Sequence, residues 1–155
     1  MERKTKVSAE NGTQEIRIVR EFDLPVELLF KAYVEPDILE QWMGSKVLKF
    51  ENKKHGGYQF EKKDDKGNVV FRSNGVMHEL IPNRKMTRTF EMENAPFGVQ
   101  LELLEFERMD DQTSKLNIRS IYESVALRDQ MLKLPFAQGL DMAHNRLQEV
   151  LLHVK

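Results

Sequence analysis

With 155 residues, 32% charged side chains and a formal net charge of −1, the chain is sized for one core under a mixed surface, without the basic excess of a polyanion binder. No apolar run reaches the roughly 18 residues of a membrane-spanning helix, and residues 1–13 lack the apolar stretch of a secretory signal. The absence of cysteine excludes disulfides, thiol nucleophiles and Cys-ligated zinc, and a cytoplasmic location is the expectation.

Residues 1–13 read as a flexible polar tail, and 14–155 as a single domain. Residues 15–22 form the first predicted strand, with Ile16, Ile18 and Phe22 on one face and Arg20 in phase with them. A helix follows, with Pro25 in its first turn, Glu27 at its positive end, and Leu28, Leu29, Ala32 and Tyr33 on its apolar side. Pro36 opens a second short helix carrying Ile38, Leu39 and Trp42, and Gly44 ends it.

Five or six further strands follow, near 47–51, 58–63, 69–81, 85–93, 99–108 and 114–122. Gly56-Gly57, residues 64–68, Pro82-Asn83, residues 94–96 and residues 110–112 separate them, which suits tight antiparallel connections. Strand 99–108 changes phase: Val99, Leu101 and Leu103 alternate in one register, Leu104 and Phe106 in the other. Either a bulge near Leu103-Leu104 or apolar contacts on both faces would account for this. After Pro135, the residues Phe136, Leu140, Ala143, Leu147, Val150, Leu151 and Val154 recur in steps of mostly three and four. They put one apolar stripe on a long helix, with Gln138, Asp141, Asn145, Gln148 and Glu149 largely off it. That helix must lie against the sheet, so the fold class is α+β.

Certain segments carry a resemblance. They are Phe22-Asp-Leu-Pro25 with Leu28 to Tyr33, Pro36 to Gly44 around Trp42, Gly56-Gly57-Tyr58-Gln59-Phe60, and Gly75-Val-Met-His-Glu79-Leu-Ile-Pro82. Tyr122-Glu-Ser124-Val-Ala-Leu-Arg128-Asp129, Gly139 and Arg146-Leu147 complete the set. In this order they resemble the helix-grip fold of the START/Bet v 1-like (SRPBCC) superfamily. Within it they resemble the branch named after the C-terminal domain of the activator of Hsp90 ATPase. The likeness covers about residues 15–152. It implies a curved antiparallel sheet of about six or seven strands wrapped around the C-terminal helix, with a cavity between them. Two positions depart from the pattern. Trp42-Met-Gly-Ser45 stands where relatives have Trp-Gly-Pro, and Ala143, beside His144, stands where an aromatic is common.

Three charges share apolar faces: Arg20, Glu79 (with Val69, Phe71, Met77 and Ile81) and Arg88 (with Met86, Phe90 and Met92). A lone buried charge is costly, so each needs a partner or water. Glu79 and Arg88 flank the Pro82-Asn83 turn and are expected as cross-strand partners, either as the polar anchor of a ligand cavity or as a structural ion pair. His144 flanks the helix stripe as an acid or base near neutral pH, or as a boundary residue. Trp42 caps a pocket mouth or serves as a packing anchor. Met77, Met86, Met92 and Met142 give an adaptable lining or ordinary core filling.

The expected ligand-binding set therefore runs from Trp42 through Phe60, Phe71, Met77 and Glu79 to Arg88, Phe90 and Leu101 on the sheet. On the last helix it comprises Phe136, Leu140, Ala143, His144 and Leu147. No catalytic motif, metal spacing or cofactor loop stands out, and Lys53-Lys54 and Lys62-Lys63 are interleaved with acids, against a nucleic-acid groove. The leading expectation is a protein binding a hydrophobic, lipid-like or aromatic small molecule. The alternatives are a cyclase- or dehydratase-like enzyme using the same cavity, and a protein-interaction module in the manner of the Hsp90 co-chaperone domain. A protein partner or a homodimer is compatible with the sequence.

Overall fold

The computed structural model describes residues 3–153, so Val154, the last member of the apolar stripe, lies outside the described residues. Two glycine- and proline-marked helices, α1 (Val26–Val34) and α2 (Pro36–Met43), interrupt the strands early. Pro36 takes the first turn of α2, and Gly44 ends it with a left-handed φ of 70°. The strands are β1 (Lys6–Ser8), β2 (Glu15–Phe22), β3 (Lys46–Phe50), β4 (Gly57–Lys63), β5 (Val69–Ile81), β6 (Lys85–Met92), β7 (Val99–Arg108) and β8 (Ser114–Ile121). Helices α3 (Val125–Leu132) and α4 (Phe136–Leu152) follow. The strands form one antiparallel sheet in the order β1-β2-β8-β7-β6-β5-β4-β3. This is the helix-grip arrangement, with eight strands instead of six or seven. Among the described residues, no helix is long and apolar enough to cross a membrane.

The additional strand corrects the expectation of a tail through residue 13. Lys6, Val7 and Ser8 pair with Val19, Ile18 and Arg17 on the edge of β2. Arg3 bonds Glu21 and Asp23, and the Thr5 amide donates to Asp141 at 2.8 Å. Arg128 Nη1 donates to the Glu10 carbonyl at 2.6 Å and to Thr13 Oγ1 at 2.8 Å, which pins the following loop.

Two rows of side chains run across the concave face of the sheet. Leu80, Met86, Leu104, Ile118 and Ile18 are successive cross-strand neighbours and form an apolar row. Beyond it, Phe106 and Leu116 receive α1, whose Phe30 and Tyr33 rings meet Phe106 edge-on at 5.0 and 5.6 Å. The neighbouring row reads Met77, Arg88, Glu102, Ser120 and Ile16, and is polar at its centre.

The register of β7 is continuous against both neighbours, so of the two alternatives for its change of phase the bulge near Leu103-Leu104 is absent. Its apolar residues do lie on both faces: Leu104 and Phe106 are buried, whereas Leu101 is 39% exposed on the convex side. The irregularity lies in β5, where the pairing with β6 shifts between Met77 and Glu79.

Helix α4 starts at Pro135 and packs on α2 and α1. Leu147 and Leu151 are fully buried, Arg146 Nη1 donates to the Trp42 carbonyl at 3.0 Å, and the Asp23 amide donates to Gln148 Oε1 at 2.9 Å. These contacts fall in the C-terminal half. In the first half, Phe136, Leu140 and Ala143 are only partly buried.

Candidate functional site

The polar row centres on a cross-strand ion pair. Arg88 Nε donates to Glu102 Oε1 at 2.8 Å, and the two side chains are 13% and 14% exposed. The Arg88 guanidinium also lies 5.4 Å from the centre of the Tyr58 ring. Tyr58 lies against the sheet because position 75 is glycine. A Cβ at Gly75 would sit 2.0 Å from the Thr89 carbonyl oxygen and 2.5 Å from Tyr58 Cζ. The Tyr58 hydroxyl donates to that same Thr89 carbonyl.

Tyr33 of α1 and Tyr122, just beyond β8, belong to the same electrostatic neighbourhood. Burial raises the pKa of all three phenols. Arg88 opposes this at Tyr33 and Tyr58, while Glu102 adds to it at all three. Each phenol is therefore protonated at neutral pH, and the proton of Tyr58 is already committed to the Thr89 carbonyl.

Three buried polar atoms have no hydrogen-bond partner among the described residues: Ser73 Oγ, Gln100 Nε2 and Tyr122 Oη. Gln100 precedes Glu102 by one inward-facing position and stands opposite Phe90. Ser73 stands opposite Met92, one inward-facing position before Gly75. Protein interiors pair nearly all such groups with protein or water, so each of these three atoms can still take a polar partner.

The structure distributes the expected binding residues unevenly. Phe60 and Met77 are buried on the concave face of the sheet, with Phe71 and Phe90 half-buried on β5 and β6. Arg88 points inward, but its partner is Glu102. Glu79 is corrected: the shift after Met77 turns it to the convex face, where its side chain is 43% exposed. There it bonds Lys85 at 2.9 Å and Thr87 at 3.2 Å. Leu101 is corrected likewise, since the inward residues of β7 are Gln100, Glu102, Leu104 and Phe106. Trp42 caps no mouth. It is buried, its Nε1 donates to the Ala32 carbonyl at 2.9 Å, and its ring packs on Tyr33 at 5.2 Å. Leu147 is core. Met142 is exposed and lines nothing.

His144 is only 1% exposed and already engaged. Its Nδ1 shares a 2.6 Å hydrogen bond with Thr5 Oγ1, and its ring meets Phe22 edge-on at 5.6 Å. Burial, reinforced by Arg20 and opposed by Asp141, lowers its pKa to about 4. Arg20 bonds Asp141 at 3.2 Å beside it. His144 is thus a neutral packing residue, and the two groups suited to acid–base work, Glu79 and His144, do not face each other or the Arg88–Glu102 pair. Ser73, Gln100, Glu102 and Tyr122 are buried or half-buried polar residues that the expected set does not contain. For Gln100 and Glu102 a signal exists, because they share parity with Leu104 and Phe106.

Two open concavities lie elsewhere on the surface. One of about 360 Å3 is bordered by Ile81, Arg84, Lys85, Glu105 and Asn117, and one of about 330 Å3 by Ser8, Glu10, Thr13, Glu15 and Arg17. Neither opens between the sheet and α4. Among the described residues, no group of three or more His, Cys, Asp or Glu side chains is placed to hold a metal.

Comparison with known proteins turns on one match: residues 23–152 fit the family described as activator of Hsp90 ATPase homolog 1-like protein. The chain belongs to that family. Solved structures of low identity share its fold. A protein from Rhodobacter sphaeroides is 18% identical, with a TM-score of 0.87 over 97% of this chain and 100% of its own. One from Arthrobacter aurescens is 19% identical, with a TM-score of 0.83 over 95% and 91%. One from Mycobacterium smegmatis is 18% identical, with a TM-score of 0.83 over 97% and 98%. No curated protein matches the chain.

Proposed function

We propose that this family member binds a small hydrophobic or aromatic molecule in the interior between the concave sheet face and α4, with the Arg88–Glu102 surroundings orienting it. The observation that carries this reading is the set of unpartnered buried atoms, Ser73 Oγ, Gln100 Nε2 and Tyr122 Oη, on a face otherwise walled by Phe60, Phe90, Met77 and Met92. Mostly apolar walls with a few converging polar groups are the usual form of a small-molecule site. The partial burial of Phe136 and Leu140 favours entry beneath the first turn of α4, since from Asp141 onward the helix is tied to Thr5, Arg20, Trp42 and Asp23. Binding rather than catalysis is favoured because the neutral, engaged His144 and the convex Glu79 are not available as a paired acid and base. We place this role in the cytoplasm, on the cysteine-free composition.

Native mass spectrometry of the full chain, purified without denaturant or organic solvent, tests the reading. A discrete adduct released by organic solvent, or saturable binding of an added apolar probe that raises the melting temperature, is expected. A protein that carries no adduct and gains no stability from any apolar probe would overturn it.

A further inference from the structure

We propose that His55 and His78 form a two-histidine site for a divalent transition-metal ion on the outer surface of the sheet, one that takes Cu2+ more tightly than Zn2+. It lies outside the interior and does not depend on the reading above.

Two irregularities of the backbone bring these histidines together from 23 positions apart in the chain. Just before β4, the His55 amide donates to the Met77 carbonyl at 2.6 Å, and the Met77 amide donates to the Gly56 carbonyl at 2.8 Å. His55 and Gly56 thus share one partner, which is the arrangement of a β-bulge whose first position is left-handed and normally glycine. Here that position is His55, with a φ of 69°. Glycine stands instead at 56, where a Cβ would lie 2.2 Å from the Glu51 carbonyl oxygen. A left-handed conformation is uncommon for a residue with a Cβ, and such outliers gather at functional positions. On the other side of Met77, the pairing of β5 with β6 skips His78. Each irregularity therefore presents one histidine, and both are exposed.

The two rings are spaced for one ion. Their centres are 6.2 Å apart, with an interplanar angle of 74°. With metal–nitrogen bonds of about 2.1 Å, the ring centres stand about 5.2 Å apart around a tetrahedral ion and about 6.4 Å apart around a linear one. Neither imidazole has a hydrogen-bond partner among the described residues. Exposed and uncommitted, the rings can each turn a nitrogen toward a shared ion without moving the backbone.

The surroundings select the metal. The neighbouring carboxylate, Glu79, is held by Lys85 at 2.9 Å and by Thr87, and Lys54 also acts on it. The patch thus lacks the free oxygen ligands that Ca2+ and Mg2+ require. Binding must come from nitrogen–metal bonds, which follow the order that places Cu2+ above Zn2+. Two protein ligands leave the other coordination positions to water, so the ion is exchangeable, unlike one in a closed structural site.

Titration calorimetry of the full chain, free of any affinity tag, with Cu2+, Zn2+ and Mg2+ tests the proposal. One Cu2+ per chain should bind, Zn2+ should bind at the same stoichiometry more weakly, and Mg2+ should not bind. The electron paramagnetic resonance spectrum of the Cu2+ complex should show two imidazole nitrogens. His55→Asn, which tolerates the left-handed backbone, and His78→Gln should each weaken Cu2+ by at least about tenfold, because each removes a ligand that the other holds at high effective concentration. His153→Gln is the control, since His153 lies beside Glu149 at 3.1 Å on α4 and offers a competing pair. It should leave Cu2+ affinity unchanged. Cu2+ affinity unchanged in His55→Asn or His78→Gln, a loss in His153→Gln equal to theirs, or a spectrum with a single nitrogen would overturn the proposal.

Discussion

Removing the Arg88 charge tests the polar row directly. At 2.8 Å, the Coulomb attraction of Arg88 and Glu102 is about 6 kcal/mol for an effective dielectric constant of about 20. Desolvating each ion costs several kcal/mol, so the intact pair contributes little net stability. Breaking it is another matter. Both side chains are far less than one-third exposed, so water screens the surviving charge poorly and this is not a surface bridge worth ~0–1 kcal/mol. Arg88→Met should therefore destabilise by ~3–5 kcal/mol, and Glu102→Leu by a similar amount. The double replacement should recover most of that loss, because it leaves no charge behind. Urea unfolding of the four proteins at one temperature provides the cycle. Single losses below ~1 kcal/mol, or a double mutant whose loss is the sum of the singles, would show that water reaches the pair freely and that the concave polar row is not an interior.

Leu147 is fully buried in the anchored half of α4, so Leu147→Ala should cost ~2–5 kcal/mol; a urea midpoint equal to the wild type would contradict the burial. Gln148→Ala is not silent, because its side chain accepts the Asp23 amide at the start of α1, and a loss of ~0.5–1.5 kcal/mol in the same assay is expected. Gly75→Ala should destabilise by ~1–3 kcal/mol, since its Cβ would overlap the Thr89 carbonyl and the Tyr58 ring; an unchanged thermal melt would refute that packing. The pKa of His144 is depressed from 6.5 to about 4 in the folded protein, so the unfolded chain binds the extra proton between those values. Its contribution is complete above about pH 6.5 and is lost as pH falls toward 4, by about 3 kcal/mol in all. Melts across that window should show this slope in the wild type and lose it in His144→Gln; identical slopes would refute it.

Most of the fold was legible because its punctuation is local. Pro36 and Gly44 bound α2, the Pro82-Asn83 turn places Asn83 at a φ of 64°, and the stripe through Leu147 and Leu151 faces inward as its spacing requires. Strand β1 was not legible. Lys6-Val7-Ser8 is too short to show a period, and it is held by tertiary partners: the β2 edge, the Arg3 ion pairs and the Thr5 bonds to Asp141 and His144.

The site was half legible, and the reason lies in two strands. A thirteen-residue strand read as strictly alternating puts Glu79 on the face of Met77. One extra residue after Met77 reverses that assignment, because every later side chain changes sides. Leu80, out of phase by simple counting, thereby becomes the partner of Met86 in the apolar row, and Glu79 joins Lys85 outside. Strand β7 misleads in the opposite way. Its apolar residues change phase while its backbone does not, so following Leu101 inward displaces Glu102 outward. Leu104 and Phe106 lie deepest under α1 and decide the register; two and four residues back from Leu104, that same register places Glu102 and Gln100 inside. The most apolar residue of a strand segment is therefore a poorer guide to its buried face than the parity of its best-packed end. Here that parity converts an apparent Glu79–Arg88 pair into Arg88–Glu102, with Gln100 beside it.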